Sequence, residues 1–228
     1  MARLKKKVLG QVSGAVGDIV FRERYGNNYV GMRPDSFIPG TSPADYQRRQ
    51  RFALSAKAGI SINSVAQLKT LWKSATPSGL SSFNYLVKIN YPFVSSVDLT
   101  NLLQLVPGNG FGVIVTDSNV DRLGVRATID PIGTNAGIIT ANEPNIMMAG
   151  VVFLTSPVDQ SVSPYSILSI TSPPLATNLI QPLTFDANLT SQQQNVFDKY
   201  QITKTFVALI TLDAGGIPVH YSSTLLLT

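Results

Sequence analysis

Positive charge is the chemistry this sequence concentrates. Arg3, Lys5, Lys6 and Lys7 stand at the start, Arg22, Arg24 and Arg33 follow, and Arg48, Arg49 and Arg51 form a second group. Residues 1–90 hold 14 of the 18 Lys+Arg and 4 of the 13 Asp+Glu, a balance of +10, whereas residues 91–228 hold 4 and 9, a balance of −5. Arg22 and Arg24 are two apart and share a face if their segment is a strand, opposite Phe21. Arg48 and Arg51 are three apart, which makes them neighbours on a helix. Tyr25, Tyr29 and Tyr46 are interleaved with these cations. Such a surface can dock on an acidic patch of another subunit, hold a phosphate backbone by releasing counterions, or simply face solvent. The opposite signs of the two halves favour docking, since the cationic end of one copy can meet the anionic end of the next.

Other constellations point to no reaction. There is no cysteine, which excludes disulfides, thiolate zinc sites and cysteine nucleophiles. Gly10, Gly14 and Gly17 resemble a glycine-rich phosphate loop. Such a loop needs a helix after it, and here a strand-like segment follows, so a tightly turned or bulged β ribbon is expected. His220 is the single histidine. A triad or a zinc site wants more partners, so His220 is read as a packed or surface residue of a C-terminal strand. Asp98, Asp117, Asp121, Asp130, Asp159, Asp186 and Asp213 are read as solvated turn residues, with no calcium-loop pattern among them. No catalytic residue, cofactor or metal site is expected, and the chain is not read as an enzyme.

The elements that must carry these groups fall into two parts. In residues 1–92 a short strand is expected at Val8–Val12. A half-buried strand follows over Asp18–Tyr25, with Ile19 and Phe21 alternating. A turn at Gly26–Asn28 leads to a partner strand at Tyr29–Arg33. Ser42 and Pro43 read as the cap and first residue of a helix. Tyr46, Arg49, Ala53, Ala56 and Ile60 share one face of it, and Phe52 widens that face. Gly59 either ends or breaks this helix. A second helix starts at Ser64 with Val65, Leu68, Trp72 and Ala75 aligned. A third is capped by Ser81 or Ser82, with Phe83, Leu86 and Asn90 in line.

Residues 93–110 read as a connection. Residues 111–228 read as a β domain in which helical periodicity is lost. Its expected strands are Gly112–Thr116, Gly124–Ile129, Ile138–Ala141, Ile146–Thr155, Tyr165–Ile170, Leu183–Ala187, Thr203–Leu212 and Val219–Leu227. The last two form a hairpin around Asp213–Gly216. The expected class is α+β: an N-terminal β ribbon with short helices, then an antiparallel, immunoglobulin-like β-sandwich.

The whole chain has 228 residues, 44% of them hydrophobic and 14% charged. That charge content is well below the roughly 25% of ordinary globular domains, and a surface so poor in charge is easily hidden in an oligomer. The basic start lacks the apolar stretch of a secretory signal, and no run of residues is long and apolar enough to span a membrane. Synthesis and retention in the bacterial cytoplasm, or packaging there into a particle, is the expectation.

The opening Gly10-Gln11-Val12-Ser13-Gly14-Ala15-Val16-Gly17-Asp18-Ile19-Val20 resembles the G-x-x-S-G-x-V-G-x-x-V start of an uncharacterised domain family common in Bacteroidota and their mobile elements. Tyr29-Val30-Gly31-Met32-Arg33-Pro34 is similar to that family's R-x-x-P stretch. Pro43, Gln47, Arg51, Phe52 and Ala53 stand in the order of its P-x-x-x-Q-x-x-x-R-x-x-F-A segment. Its closing hairpin resembles Phe206–Ile210 and Tyr221–Leu227. The resemblance implies no activity. It implies a role in a virion or similar assembly. Together these readings describe a non-enzymatic, self-assembling structural protein, a component of a phage or phage-like particle, that partners its own copies and other particle proteins. A nucleic-acid-binding module using Lys5–Lys7, Arg22, Arg24, Arg48 and Arg51 is the alternative.

Overall fold

A computed structural model describes residues 2–3, 13–24, 27–33, 36 and 39–227. The expected strand Val8–Val12, the residues Lys5, Lys6 and Lys7, and Pro34 lie outside the described residues. The chain is α+β and its named strands pair antiparallel.

Four strands come first: β1 (Ala2–Arg3), β2 (Gly14–Val16), β3 (Ile19–Arg24) and β4 (Asn27–Met32), in the order β1-β4-β3-β2. Gly17 turns β2 into β3 at φ +57°, a left-handed conformation that glycine adopts without cost. Gly14 and Gly17 thus belong to a turned ribbon, as expected, whereas Gly10 lies outside the described residues. The strand after the turn resumes at Asn27, opposite Arg24, two residues before the expected start at Tyr29.

Three helices follow: α1 (Pro43–Ser64), α2 (Ala66–Ala75) and α3 (Ser82–Asn90). Ser42 caps α1 through a reciprocal pair, its hydroxyl accepting the Asp45 N–H at 3.2 Å while the Asp45 carboxylate accepts the Ser42 N–H at 3.3 Å. Gly59 neither ends nor breaks α1. It lies where α3 crosses, and a side chain there would press on Val87, Leu86 and Phe83. The buried face of α1 is Leu54, Ala58 and Ile62 with Ser55, Gly59 and Ser61, whereas the expected face members Tyr46, Phe52 and Ile60 are exposed. Small residues form the contact because they let the helix lie close to its neighbours, and small residues carry little hydrophobic signal.

The β region contains β5 (Val115–Val120), β6 (Gly124–Ile129), β7 (Asn145–Pro157), β8 (Tyr165–Thr171), β9 (Leu175–Ala176) and β10 (Leu183–Asn188). Helix α4 (Ser191–Phe197) precedes β11 (Tyr200–Leu212), β12 (Pro218–Tyr221) and β13 (Leu225–Leu227). Three expectations change. The first strand sits at Val115–Val120 instead of Gly112–Thr116. Ile138–Ala141 forms no strand; Ile139 accepts the N–H groups of Asn142 and Glu143 in a turn. The strand expected over Val219–Leu227 is split, because the Ser222 hydroxyl accepts the Leu209 N–H and takes a ladder position. Helix α4 was not expected, although Thr190 and Gln193 form a capping box at its start. The hairpin around Asp213–Gly216 is present, with Leu212 opposite Pro218.

The large sheet runs β12-β11-β7-β8, with β13 beside β11 and β9 beside β7; the small sheet runs β10-β6-β5. Strands β7 and β11 are buried on both faces. Met147, Ala149, Val151 and Phe153 of β7, with Phe206, Ala208, Ile210 and Leu212 of β11, meet α1–α3. The alternate residues Ile146, Met148, Val152, Leu154, Val207 and Leu209 meet Val125, Ala127, Ile129, Phe185 and Ala187 of the small sheet. Period-two alternation sends successive side chains into different cores, so both strands read as unbroken apolar runs. The result is three layers: helices, large sheet, small sheet.

Residues 93–110 are packed. Val94, Leu99, Leu103, Leu105 and Val106 belong to the same core as Leu54, Leu68, Trp72 and Phe153. The Trp72 indole donates to the Leu105 carbonyl at 2.7 Å, and Asn90 exchanges hydrogen bonds with the Gln104 backbone at 2.8 and 2.9 Å. Among the described residues, no helix is long and apolar enough to cross a membrane.

Candidate functional site

The cations singled out by sequence divide by element. Arg22 is exposed on β3, where its register partner is Tyr29; Arg24 pairs with Asn27 at the end of β3, and Arg3 stands opposite Tyr29 on β1. Arg33 is exposed just past β4, and its N–H donates to Asp18 at 2.6 Å. The three arginines of α1 are engaged within the chain. Arg48 pairs with Asp45. Arg49 donates to the Gly40 carbonyl at 2.8 Å and stacks over Tyr46 at 4.6 Å. Arg51, half-buried, donates to the Tyr91 carbonyl at 2.8 and 3.2 Å and lies 4.3 Å over the Tyr91 ring. Arg51 therefore pins α1 to the end of α3, while Arg22 and Arg33 remain at the surface.

The sheet that carries Arg22 has two chemically different faces. Register places Val16, Ile19 and Met32 in one row and Phe21 and Val30 in the next, all on one side. Val20, Arg22 and Tyr29 take the other side, since side chains alternate along a strand. On the apolar side Val16 is 69%, Ile19 43% and Met32 80% exposed. None of the described residues of this sheet is fully buried. A second apolar surface is a shallow groove between α1 and α3, about 430 Å³, lined by Phe52, Phe83, Val87 and Tyr91.

No family model matches the chain, and no curated protein matches it.

The acidic half behaves mostly as sequence suggested. Asp121 accepts the Leu123 and Gly124 N–H groups, Asp159 that of Ser161, and Asp213 those of Gly215 and Ile217. Hydrogen bonds from these backbone N–H groups hold Asp121 and Asp159 below the usual aspartate range. Asp186 is a strand residue, paired with Arg126 at 2.7 Å. Lys204 reaches Asp98 at 2.6 Å and Arg122 reaches Asp198 at 2.8 Å.

One constellation was not foreseen. Glu143, in the turn before β7, has a side chain only 2% exposed. Its oxygens lie 2.9 and 3.0 Å from Nδ1 of His220 on β12. Thr211 of β11 donates its hydroxyl to Glu143 and accepts the His220 N–H at 2.9 Å. Ile139 donates its N–H to Glu143 at 3.2 Å. Burial pushes the Glu143 carboxyl up, but the hydrogen bonds from Thr211, His220 and Ile139 outweigh it and hold the group below its usual value. The His220 side chain, 45% exposed, lines a cleft of about 450 Å³ beside Asn109, Phe111, Ile132 and Tyr221. Glu143 and His220 are 77 residues apart, so spacing alone could not pair them. The legible signal was a lone glutamate in a Pro/Asn turn directly before a strand buried on both faces.

Proposed function

We propose that this chain is a non-enzymatic structural protein that self-assembles, as a component of a phage or phage-like particle put together in the bacterial cytoplasm. What carries the reading is the exposed apolar row of Val16, Ile19 and Met32 on the β1–β4 sheet. A small sheet with no core of its own is marginal in water, and an exposed apolar patch marks an interaction surface. The partner that fits is a second copy meeting the same face. Two such faces bury Val16, Ile19, Phe21, Val30 and Met32 between them and keep Arg22 of both copies on the outside, away from like charge. The low charge content of the whole chain supports the same reading. Membership of the Bacteroidota domain family with the G-x-x-S-G-x-V-G start is part of this proposal. So is an immunoglobulin-like role for the two sheets as a rigid platform behind the interface, which their shared core supports.

Size-exclusion chromatography with light scattering tests it. The wild-type chain is expected to run as an oligomer, and Val16→Lys with Met32→Lys to run as a monomer with unchanged circular dichroism. A wild-type monomer at high concentration in low salt would remove the reading. Retardation of DNA or RNA at ~50 mM salt, lost steeply as salt rises, would instead favour the nucleic-acid alternative.

A further inference from the structure

We propose that the cleft beside His220 is a binding site for a saccharide, with His220 Nε2 hydrogen-bonding a sugar hydroxyl and Phe111 bordering the ring. The inference starts from a cost. Glu143 is almost wholly removed from water, and a buried charge is retained only with full hydrogen bonding. Three groups supply it: the Thr211 hydroxyl, the Ile139 N–H and the His220 ring. The carboxylate fixes the imidazole. With Nδ1 turned to the carboxylate, Nε2 is the ring nitrogen left for a ligand.

That nitrogen and its surroundings select among ligands. A metal would need further ligands, and among the described residues no group of three His, Cys, Asp or Glu could hold one. An anion is disfavoured by the Glu143 carboxylate 2.9 Å behind the ring and by the balance of 4 basic and 9 acidic groups in residues 91–228. A hydroxyl, which both donates and accepts, suits a ring nitrogen in either role. Asn109 at the cleft adds an amide that both donates and accepts.

The walls fit a sugar as well. Tyr221 turns its ring into the helix-side core, its hydroxyl donating to the Pro107 carbonyl at 2.8 Å, and so fixes the strand backbone that floors the cleft. Phe111 is tied to the same strand end through its N–H, which donates to the Tyr221 carbonyl at 3.0 Å. Gly110 packs so closely against Tyr221 and Ser222 that any side chain there would collide with their backbone. The walls are therefore preformed, and the cleft volume of about 450 Å³ falls within the range of small-molecule sites. Polyhydroxylated rings present apolar faces to aromatic side chains and hydroxyls to acceptors, the two features this cleft combines.

Saturation-transfer NMR on the full chain tests the site with glucose, galactose, mannose, N-acetylglucosamine and their β1,4-linked disaccharides. Saturation transfer to at least one of them is expected. His220→Ala, which changes a half-exposed side chain and keeps the fold, is expected to weaken it about tenfold, as is Glu143→Gln, which releases the ring. Arg126→Ala, on the small sheet, is expected to leave it unchanged. The proposal is overturned if none of these sugars receives saturation, if His220→Ala binds as well as wild type, or if zinc or inorganic phosphate alone shifts the His220 ring signals while the sugars do not. Because the site lies away from β1–β4, the Val16→Lys, Met32→Lys monomer is expected to keep sugar binding, which separates this test from that of assembly.

Discussion

Glu143 shows how one residue can matter without any motif to announce it. Its carboxyl is held below its ordinary value by hydrogen bonds from Thr211, His220 and Ile139, which outweigh burial. A carboxyl lowered on folding contributes stability above its unfolded value, and that contribution is lost as pH falls through the folded value. The wild-type chain is therefore expected to lose stability on acidification below the ordinary glutamate range, from pH 5 downward. Glu143→Gln is expected to be less stable at pH 7 by about 1–3 kcal/mol, the cost of a broken buried charge-assisted bond. The gap between the two proteins narrows as pH falls. Urea midpoints at pH 7, 5 and 3 check this, and a gap that widens toward acid contradicts it. The sequence told that His220 was alone of its kind and lay in a strand. It could not tell that a buried acid holds its ring, because the contact is made only when the turn before β7 folds over the end of β11.

At the scale of elements, α1 carries the clearest lesson. Its start was legible in Ser42, Pro43 and Asp45, since capping is a local interaction. Its buried face was not. Tyr46, Phe52 and Ile60 form an apolar row of their own, yet Leu54, Ala58 and Ile62 with Ser55 and Gly59 make the contact. Close helix packing selects small residues, and Gly59 is the tightest point: an added Cβ would stand 2.9 Å from Val87 and 3.2 Å from Leu86 and Phe83. Gly59→Ala is thus expected to destabilise the chain by about 1–3 kcal/mol through overpacking, although alanine favours an isolated helix by about 1 kcal/mol. Chemical denaturation decides the sign, and a more stable Gly59→Ala would show that α3 moves aside freely. Helix α4 shows the converse. Its Thr190–Gln193 box is a readable local signal, but it is short and stands among strand-like runs, so the surrounding pattern masked it.

For the whole molecule, the decisive feature is that helices, connection and large sheet share one core. Leu103 and Leu105 of the connection, Trp72 of α2 and Phe206 of β11 are all buried in it. Residues 43–227 are therefore expected to unfold as a single unit. Trp72 fluorescence reports the helical layer and the backbone amide NMR signals of β7 and β11 report the large sheet; in urea the two transitions are expected to coincide. Separate transitions would mean that the helices form a domain of their own, joined by a loose connection. The sheet β1–β4 differs from this body: its row of Val16, Ile19 and Met32 is exposed, and a second copy is what the proposed assembly supplies to cover it.

The amino-acid sequence by itself determined the local features: the charge split, the caps of α1 and α3, the turned glycine ribbon, the terminal hairpin and the apolar runs that became β7 and β11. These depend on neighbours within a few residues, or on composition, and need no fold to be read. Tertiary structure alone decided that β7 and β11 are covered on both faces, that residues 93–110 are packed, and that Glu143 meets His220. Those outcomes depend on which distant segments come into contact, and spacing along the chain carries no record of that.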